Sequence, residues 1–462
     1  MHHRGGHGPP YQRQPIRRRG GIVTNLMWRG VSAMLIRPSQ RMLAHLRRET
    51  LTVICAMPLW LVAAAPAAAD DSDERMFMVG GFGTVGAVRS SEDRADFTTS
   101  ISEATGAGYT NRWSAGVDSL LGLQVTGTFT NQLSAVLQVI SEQNYDNTYT
   151  PHIEWANVKY QVTPDASLRV GRIVLPIFLL SDSRKVQYAN PWVRPPVEFY
   201  TLVPVTNSDG IDASYNLHSG RFTQNFLGTY GKSEPHFTSG NADVTRQFSF
   251  SDTVEFGPAT IRATYQQAVL AIDTLDSLTD AFRQFGPAGA ALADKYQVNG
   301  KVTKYAGMGV MIDPGDWFLT AEWGKAEYHS VLATKTAWYL SGGYRLAKFT
   351  PYVTYADVKA DSSTSDRGLD ISTLPANLAG PAAGLNAALN GILGSTPVQH
   401  TISVGTRWDF IQDTDLKVQY DRIELGSGSP GTLVNLQPSF RGGGSVNLVS
   451  ITIDFVFGGH GI

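Results

Sequence analysis

Apolar and polar side chains alternate in many short runs between residues 75 and 457. In the last run, Val449, Ile451 and Ile453 share one face of the chain, whereas Ser450 and Thr452 share the other. A β-strand places successive side chains on opposite faces, so a period of two residues indicates a strand with one apolar face. The pattern therefore predicts a chain composed mainly of strands.

The alternating runs number about sixteen, and each is long enough to cross a membrane as a tilted strand, which needs about nine to eleven residues. The predicted strands are 75–88, 118–129, 132–142, 152–162, 166–174, 208–217, 221–231, 245–256, 259–270, 300–312, 316–329, 335–346, 348–359, 399–411, 415–425 and 445–457. After residue 69, no stretch approaches eighteen consecutive apolar residues, so a membrane position would require strands.

Short and long connections alternate between the predicted strands. Gly257 and Pro258 form one of the tight connections, whereas 175–207, 271–299 and 361–398 are long. A β-sandwich has no reason to keep every second connection tight, but a transmembrane barrel does. The sequence therefore predicts an all-β fold: a transmembrane antiparallel β-barrel of about sixteen strands, with short periplasmic turns, long outer loops and an aqueous lumen.

The segment 41–69 has the composition of a secretory signal peptide. A basic stretch precedes an apolar stretch, and Ala67 and Ala69 occupy the small-residue positions of a cleavage site. The competing interpretation is a membrane-anchoring helix, which Pro58 and Pro66 would interrupt. We expect secretion and a mature barrel that begins at residue 70.

Residues 1–40 form an unusually long lead-in before the signal segment, rich in Arg, Gly and His. Met34 or Met42 is an alternative start of translation. The single cysteine, Cys55, lies in the segment that we expect to be removed, so the mature chain would contain no disulfide.

Charge excludes nucleic acid as a partner. The net charge is -2, but residues 1–69 contain ten Arg and one acid, which leaves 28 basic and 39 acidic residues in the remainder. Binding to phosphates needs a concentrated basic face, and the barrel region has an acidic excess instead.

One stretch of the chain resembles a known family. The strand end LRVGR (168–172), the long third loop and the return strand SDGIDASY (208–215) are similar to the Gram-negative trimeric general porins. The resemblance implies a homotrimer in the outer membrane, in contact with its lipid and inserted by the barrel-assembly machinery. It also implies that the third loop, 175–207, folds into the barrel and narrows the pore.

The resemblance further implies a charged constriction, in which acids of the third loop face bases on the barrel wall. The candidate residues are Lys159, Arg169, Asp182, Arg184, Lys185, Arg194 and Glu198. Asp182 and Glu198 would face Lys159 and Arg169 across the pore. Each of these charges could instead be a solvated loop residue or part of a salt bridge that holds the loop. The role of Arg172 stays open.

The function implied by the resemblance is passive diffusion of small hydrophilic solutes and ions, without a cofactor, a metal or catalysis. Two alternatives stay open: a substrate-selective uptake channel with a site formed by the third loop and 361–398, and an outer-membrane hydrolase. The sequence contains no nucleophile elbow, Walker A motif, HExxH zinc motif or paired-cysteine site. Scattered Ser, His and Asp residues could still form a triad.

Two further segments have unusual sequences. The stretch 376–394 is more apolar than an exposed loop, so it is either a short helix packed at the barrel rim or part of a path for less polar solutes. In addition, five residues follow Phe457, whereas the family normally ends its last strand on a terminal aromatic that the assembly machinery recognises.

Overall fold

The computed structural model describes residues 76–238 and 240–458. The predicted lead-in at 1–40, the signal segment at 41–69 and the last four residues lie outside the described residues. Among the helices of the described residues, none combines the length and the apolar character needed to cross a membrane.

Sixteen long strands form one antiparallel sheet. In chain order, β1 to β16 are Phe77–Ser90, Leu120–Thr128, Leu133–Glu142, His152–Gln161, Ala166–Val174, Asn207–Ser219, Phe222–Ser233, Asp243–Phe256, Ala259–Ala271, Lys301–Ile312, Trp317–Glu327, Lys335–Tyr344, Phe349–Ala360, Gln399–Ile411, Thr414–Leu425 and Gly444–Gly458. A seventeenth strand in this sheet, Trp113–Ser114, has two residues. β1 pairs with β16, with Gly83 opposite Phe455, so the sheet closes into a barrel.

The predicted barrel is confirmed, and no predicted strand bound differs from the structure by more than two residues. The run predicted at 245–256 contains an irregularity. The pairing of β8 with β9 shifts between Thr245 and Phe248, and Arg246 has a φ of 48°. A bulge of this kind breaks the alternation locally, which explains why the sequence pattern is weakest there.

The two faces of the barrel wall differ in polarity, as the alternation predicts. On β16, Ile451 and Ile453 are each 41% exposed, whereas Ser450 and Thr452 are at most 1% exposed. The exposed apolar side chains face outward, and the buried polar side chains face the lumen. A continuous outward apolar surface is the arrangement by which barrels contact lipid.

Eight long loops emerge from one end of the barrel, and short turns connect the strands at the other end. Loops 1 to 8 are residues 91–119, 143–151, 175–206, 234–242, 272–300, 328–334, 361–398 and 426–443. Three of the turns have two residues; Gly220 and Gly257 occupy two of them with φ of 61° and 55°, and Asp413 occupies the third with φ of 57°. Such tight hairpin turns need positive φ, which glycine adopts without strain.

Candidate functional site

Loop 3 runs inside the barrel instead of outside it. It leaves β5 after Val174, contains the one-turn helix α1 (Val197–Tyr200), and returns to β6 at Asn207. Most of its apolar side chains are buried, and Phe199 is completely so. The loop therefore occupies space that would otherwise belong to the lumen.

Aromatic side chains hold loop 3 against one part of the wall. Inward-facing Tyr305, Phe318 and Tyr339, on β10, β11 and β12, form one apolar cluster with the loop. The ring of Phe199 lies 5.6 Å from that of Tyr339, at an interplanar angle of 68°. Edge-to-face contacts of this kind stabilise packed aromatic clusters beyond simple burial.

A buried carboxylate on β11 joins both ends of the loop. Glu322 accepts hydrogen bonds from the backbone N–H of Leu179 at 2.7 Å and from the hydroxyl of Tyr200 at 2.6 Å. The hydroxyl of Tyr339 also donates to Glu322, at 2.9 Å. Glu322 was not among the predicted site residues, although the alternation along β11 places it on the lumen face with Phe318.

Arg194 is the centre of a buried ionic cluster. Its guanidinium lies 2.6 Å from Asp118 and 3.1 Å from Asp421, and it also donates a hydrogen bond of 2.7 Å to Ser450. Burial alone would lower the pKa of Arg194, but the two carboxylates outweigh burial and raise it. Arg194 therefore fixes loop 3 to the wall as a cation and does not face the open lumen.

Glu198 does not face Lys159 and Arg169, which corrects the prediction made for it. Gln399 donates a hydrogen bond of 2.6 Å to its carboxyl group, and the hydroxyl of Thr401 donates a second. Both donors lie on β14, on the side of the barrel away from β4 and β5. Burial raises the pKa of Glu198, against the effect of these hydrogen bonds.

Arg184 and Lys185 also make contacts that hold the loop. Lys185 donates to both carboxylate oxygens of Glu142 on β3, at 2.5 and 2.6 Å. Arg184 donates to the backbone carbonyl of Tyr200 at 3.0 Å and lies 5.7 Å from the ring centre of Phe178. Burial lowers the pKa of Arg184.

A second ionic cluster, missed by sequence reasoning, holds the middle of loop 3. Lys417 on β15 is completely buried, lies 3.0 Å from Asp454 and donates to the carbonyl of Gln187 at 2.7 Å. Arg407 on β14 donates to the carbonyl of Tyr188 at 2.5 Å. Alternation alone places both bases on the lumen face, but it does not reveal that loop 3 would cover them.

Three of the seven predicted residues remain at the uncovered edge of the lumen. Lys159 and Arg169 are cross-strand neighbours on β4 and β5, and Arg169 lies 2.8 Å from Asp212. Asp182 on loop 3 has a side chain that is 62% exposed and lies 4.0 Å from Arg262. Among the described residues, Lys159 makes no ion pair.

Inward-facing Asp212 on β6 is the ion-pair partner of Arg169. Sequence reasoning missed Asp212 and Arg262, although both lie at inward positions of their strands. Arg172, whose role stayed open, pairs with Asp209 at 2.7 Å near the long-loop end of β5. Arg172 and Asp209 share the outward face of their strands with Val170 and Ile211, whereas Arg169, Asp212 and Arg262 lie on the lumen face.

A small cavity lies between loop 3 and the wall. A cavity of about 30 Å³ lies beside Arg194, Glu198 and Asp421. That volume accommodates about one water molecule. Within residues 76–238 and 240–458, no group of His, Cys, Asp and Glu side chains is arranged to hold a metal ion.

No protein-family model matches this chain, and no curated protein matches it at a significant level. Its structure is similar to OmpF of Salmonella typhi, solved with daunomycin, at 12% identity and a TM-score of 0.50, covering 82% of this chain and 97% of that one. It is also similar to the outer membrane channel DcaP of Acinetobacter baumannii, at 13% identity and a TM-score of 0.50, covering 84% of this chain and 100% of that one. The predicted likeness to porins is thus confirmed for the fold.

Proposed function

We propose that this chain is an outer-membrane porin, through which small hydrophilic solutes and ions diffuse passively. The observation that carries the proposal is the position of loop 3, which is fixed inside the barrel by buried ion pairs and hydrogen bonds. A loop anchored in this way narrows the lumen without relying on movement. The proposal involves no cofactor and no covalent step.

The constriction would consist of Asp182 on loop 3 and of Lys159 and Arg169 on the facing wall. Opposite charges on two sides of a narrow, water-filled passage create a transverse field, which discriminates among solutes by charge and dipole. Arg184, Lys185, Arg194 and Glu198 would serve as positioning residues, because their contacts are with the wall or the loop itself.

We place the protein in the outer membrane of a Gram-negative bacterium. The outward apolar surface supports contact with lipid, and the long loops would face the exterior while the short turns face the periplasm. From the family resemblance we also propose that the protein is a homotrimer and that the barrel-assembly machinery inserts it.

The deciding experiment is single-channel recording of the refolded mature chain, residues 70–462, in a planar bilayer. We expect stable open steps and a reversal potential in a salt gradient that reports the ion preference. A folded barrel that never conducts would overturn the proposal. If a single class of solute blocks the conductance in a saturable way, selective uptake replaces passive diffusion as the proposed function.

A further inference from the structure

Three helices of loops 5 and 7 pack together at the outer end of the barrel. Loop 5 folds into α2 (Asp273–Arg283) and α3 (Gly286–Tyr296), and loop 7 contains α4 (Ala376–Gly394). Phe282 and Leu389, one from each loop, are at most 2% exposed within their shared apolar core. We call this three-helix structure the helical cap.

The helical cap covers the inner face of the barrel wall. Val244, Ala268 and Leu270, near the outer ends of β8 and β9, are buried in the core of the cap. Phe248 and Tyr265 on the same strands lie on the opposite face and are 46% and 40% exposed. Because alternate residues of a strand lie on opposite faces, the helices lie inside the barrel rim.

Polar contacts join the two loops of the cap. Asp366 of loop 7 accepts hydrogen bonds from Lys295 and from the hydroxyl of Tyr296, both at 2.6 Å. Burial alone would raise the pKa of Asp366, but these hydrogen bonds outweigh burial and lower it to about 2. Asn386 of α4 bonds to both the N–H and the carbonyl of Leu369, at 2.8 and 2.9 Å.

Loops 1 and 8 fold inward over another part of the mouth. Phe97 of loop 1 and Leu433 of loop 8 are buried in one cluster with Val88, Ile423 and Leu448. The last three are inward-facing residues at the outer ends of β1, β15 and β16. Apolar packing therefore narrows the mouth at two separate places.

Loop 4 contacts loops 1 and 2, which lie on the other side of strands β5 and β6. The hydroxyl of Thr238 lies 3.4 Å from the carbonyl oxygens of Ser102 in loop 1 and Tyr145 in loop 2. The ring of His236 lies 5.4 Å from that of Tyr145. The mouth is thus bounded by loops that contact one another.

The longest helix of the cap, α4, and the constriction differ in charge. The nineteen residues of α4, ANLAGPAAGLNAALNGILG, contain no charged side chain. The passage beside loop 3 is instead lined by Lys159, Arg169, Asp182 and Arg262. The charged side chains of the cap lie on α2 and α3. An uncharged obstruction such as α4 discriminates by size, whereas opposed charges discriminate by field.

We propose that the helical cap is a second, outer filter that limits solute size, and that the constriction at loop 3 discriminates by charge. This inference rests on the proposed function, since it requires a conducting lumen. The two filters act in series, so a solute from outside meets the cap before it meets loop 3. Size limit and ion preference then depend on different residues.

The test measures which neutral polyethylene glycols enter the channel from each side of a planar bilayer. Polymers that enter lower the conductance, and larger ones leave it unchanged. Asp93 in loop 1 has a side chain that is 72% exposed, and residues 70–462 contain no cysteine. An Asp93→Cys background, biotinylated, therefore lets streptavidin identify the outer side of each channel. We expect a smaller cutoff from the outer side than from the periplasmic side.

Two variants loosen the cap to different degrees. Tyr296→Phe removes the hydroxyl that donates to Asp366, and Leu389→Ala leaves a cavity in the apolar core, so neither variant changes the charge of the mouth. The matched control is Tyr344→Phe, which removes the hydroxyl of an exposed tyrosine beside the periplasmic turns. In both cap variants we expect the outer cutoff to rise toward the periplasmic cutoff while the reversal potential stays constant. The control should change neither.

The outcomes separate this inference from the proposed function. An equal cutoff from both sides of the unmodified protein, or cap variants with an unchanged outer cutoff, would overturn the outer filter and leave the porin proposal intact. A cap variant that shifts the reversal potential would overturn the proposal that the cap selects by size and the constriction by charge. Absence of any conductance from the unmodified, folded barrel would instead overturn the porin proposal itself.

Discussion

The guanidinium of Arg194, in the middle of loop 3, lies 2.6 Å from the carboxylate of Asp118, which just precedes β2. The side chains are 4% and 1% exposed. A complete buried ion pair contributes little net stability. The loss of one partner, however, leaves the other charge buried and unpaired in a medium that solvates it poorly. The position of loop 3 is therefore tied to the folding of the barrel.

Replacing Arg194 with Ala should release this part of loop 3. Asp118 and Asp421 would remain buried without their cation, which costs about 3–5 kcal/mol when no rearrangement relieves it. We expect a lower unfolding temperature, measured as the loss of the compact band on unheated gels, and larger, noisier conductance steps. The Arg194→Lys variant keeps the charge but not the paired hydrogen bonds, so its effect should be intermediate. Unchanged stability and conductance would contradict this role.

Glu322→Ala should loosen both ends of loop 3 at once. The substitution removes the acceptor for Leu179, Tyr200 and Tyr339, and each buried donor left without a partner costs about 1–3 kcal/mol. We expect trypsin to cleave the folded variant within loop 3 faster than the unmodified protein. Glu327→Ala, a partly exposed acid on the same strand, provides the control and should leave the cleavage rate unchanged.

The strands could be predicted from the sequence because alternation is a local property. The hydroxyl and amide side chains of the lumen and the aliphatic side chains of the outer face mark each strand independently of its neighbours. The helices of loop 5 were not predicted, although Leu275, Leu278 and Phe282 recur at helical spacing in α2. Long outer loops of a barrel were interpreted as irregular, and that assumption outweighed the pattern.

The site was predictable only in part, because the partners of loop 3 depend on its path through the barrel. Sequence reasoning selected Arg194 and Glu198 as charged loop residues, but their partners Asp118 and Gln399 are distant in sequence. The bases Lys159 and Arg169 were placed on the lumen side by alternation alone. What alternation cannot reveal is which part of the lumen wall the loop covers.

Lys159→Glu should shift the ion preference of the channel toward cations. Among the described residues Lys159 makes no ion pair, so in the proposed channel its charge would act on passing ions, and reversing it would add negative potential at the proposed constriction. We expect a change in reversal potential in a salt gradient without loss of barrel stability. Lys348→Glu, at an exposed periplasmic turn, makes the same charge change away from the constriction and should have little effect. Equal shifts in both variants would indicate that net charge, and not the constriction, sets the preference.

The packing of loop 1 should weaken as pH rises toward 8. Burial raises the pKa of Glu103 to about 8, against a hydrogen bond from the hydroxyl of Thr99, whereas the free carboxyl titrates near 4.5. Between pH 4.5 and about pH 8, Glu103 keeps its proton while loop 1 is folded and releases it when loop 1 opens. The stability of the folded loop therefore falls as pH rises through this window and levels off above it, a loss of up to a few kcal/mol.

Glu103→Gln removes this titration while keeping the shape of the side chain. We expect tryptic cleavage at Arg94 and Arg112 in loop 1 to accelerate from pH 7 to pH 9 in the unmodified protein, after correction for the activity of trypsin on a free peptide. The Gln variant should show no such acceleration, whereas Asp93→Asn, which changes an exposed acid of the same loop, should behave like the unmodified protein. If the Gln variant accelerates as steeply as the unmodified protein, the proton on Glu103 does not control the packing of loop 1, and another group must titrate there.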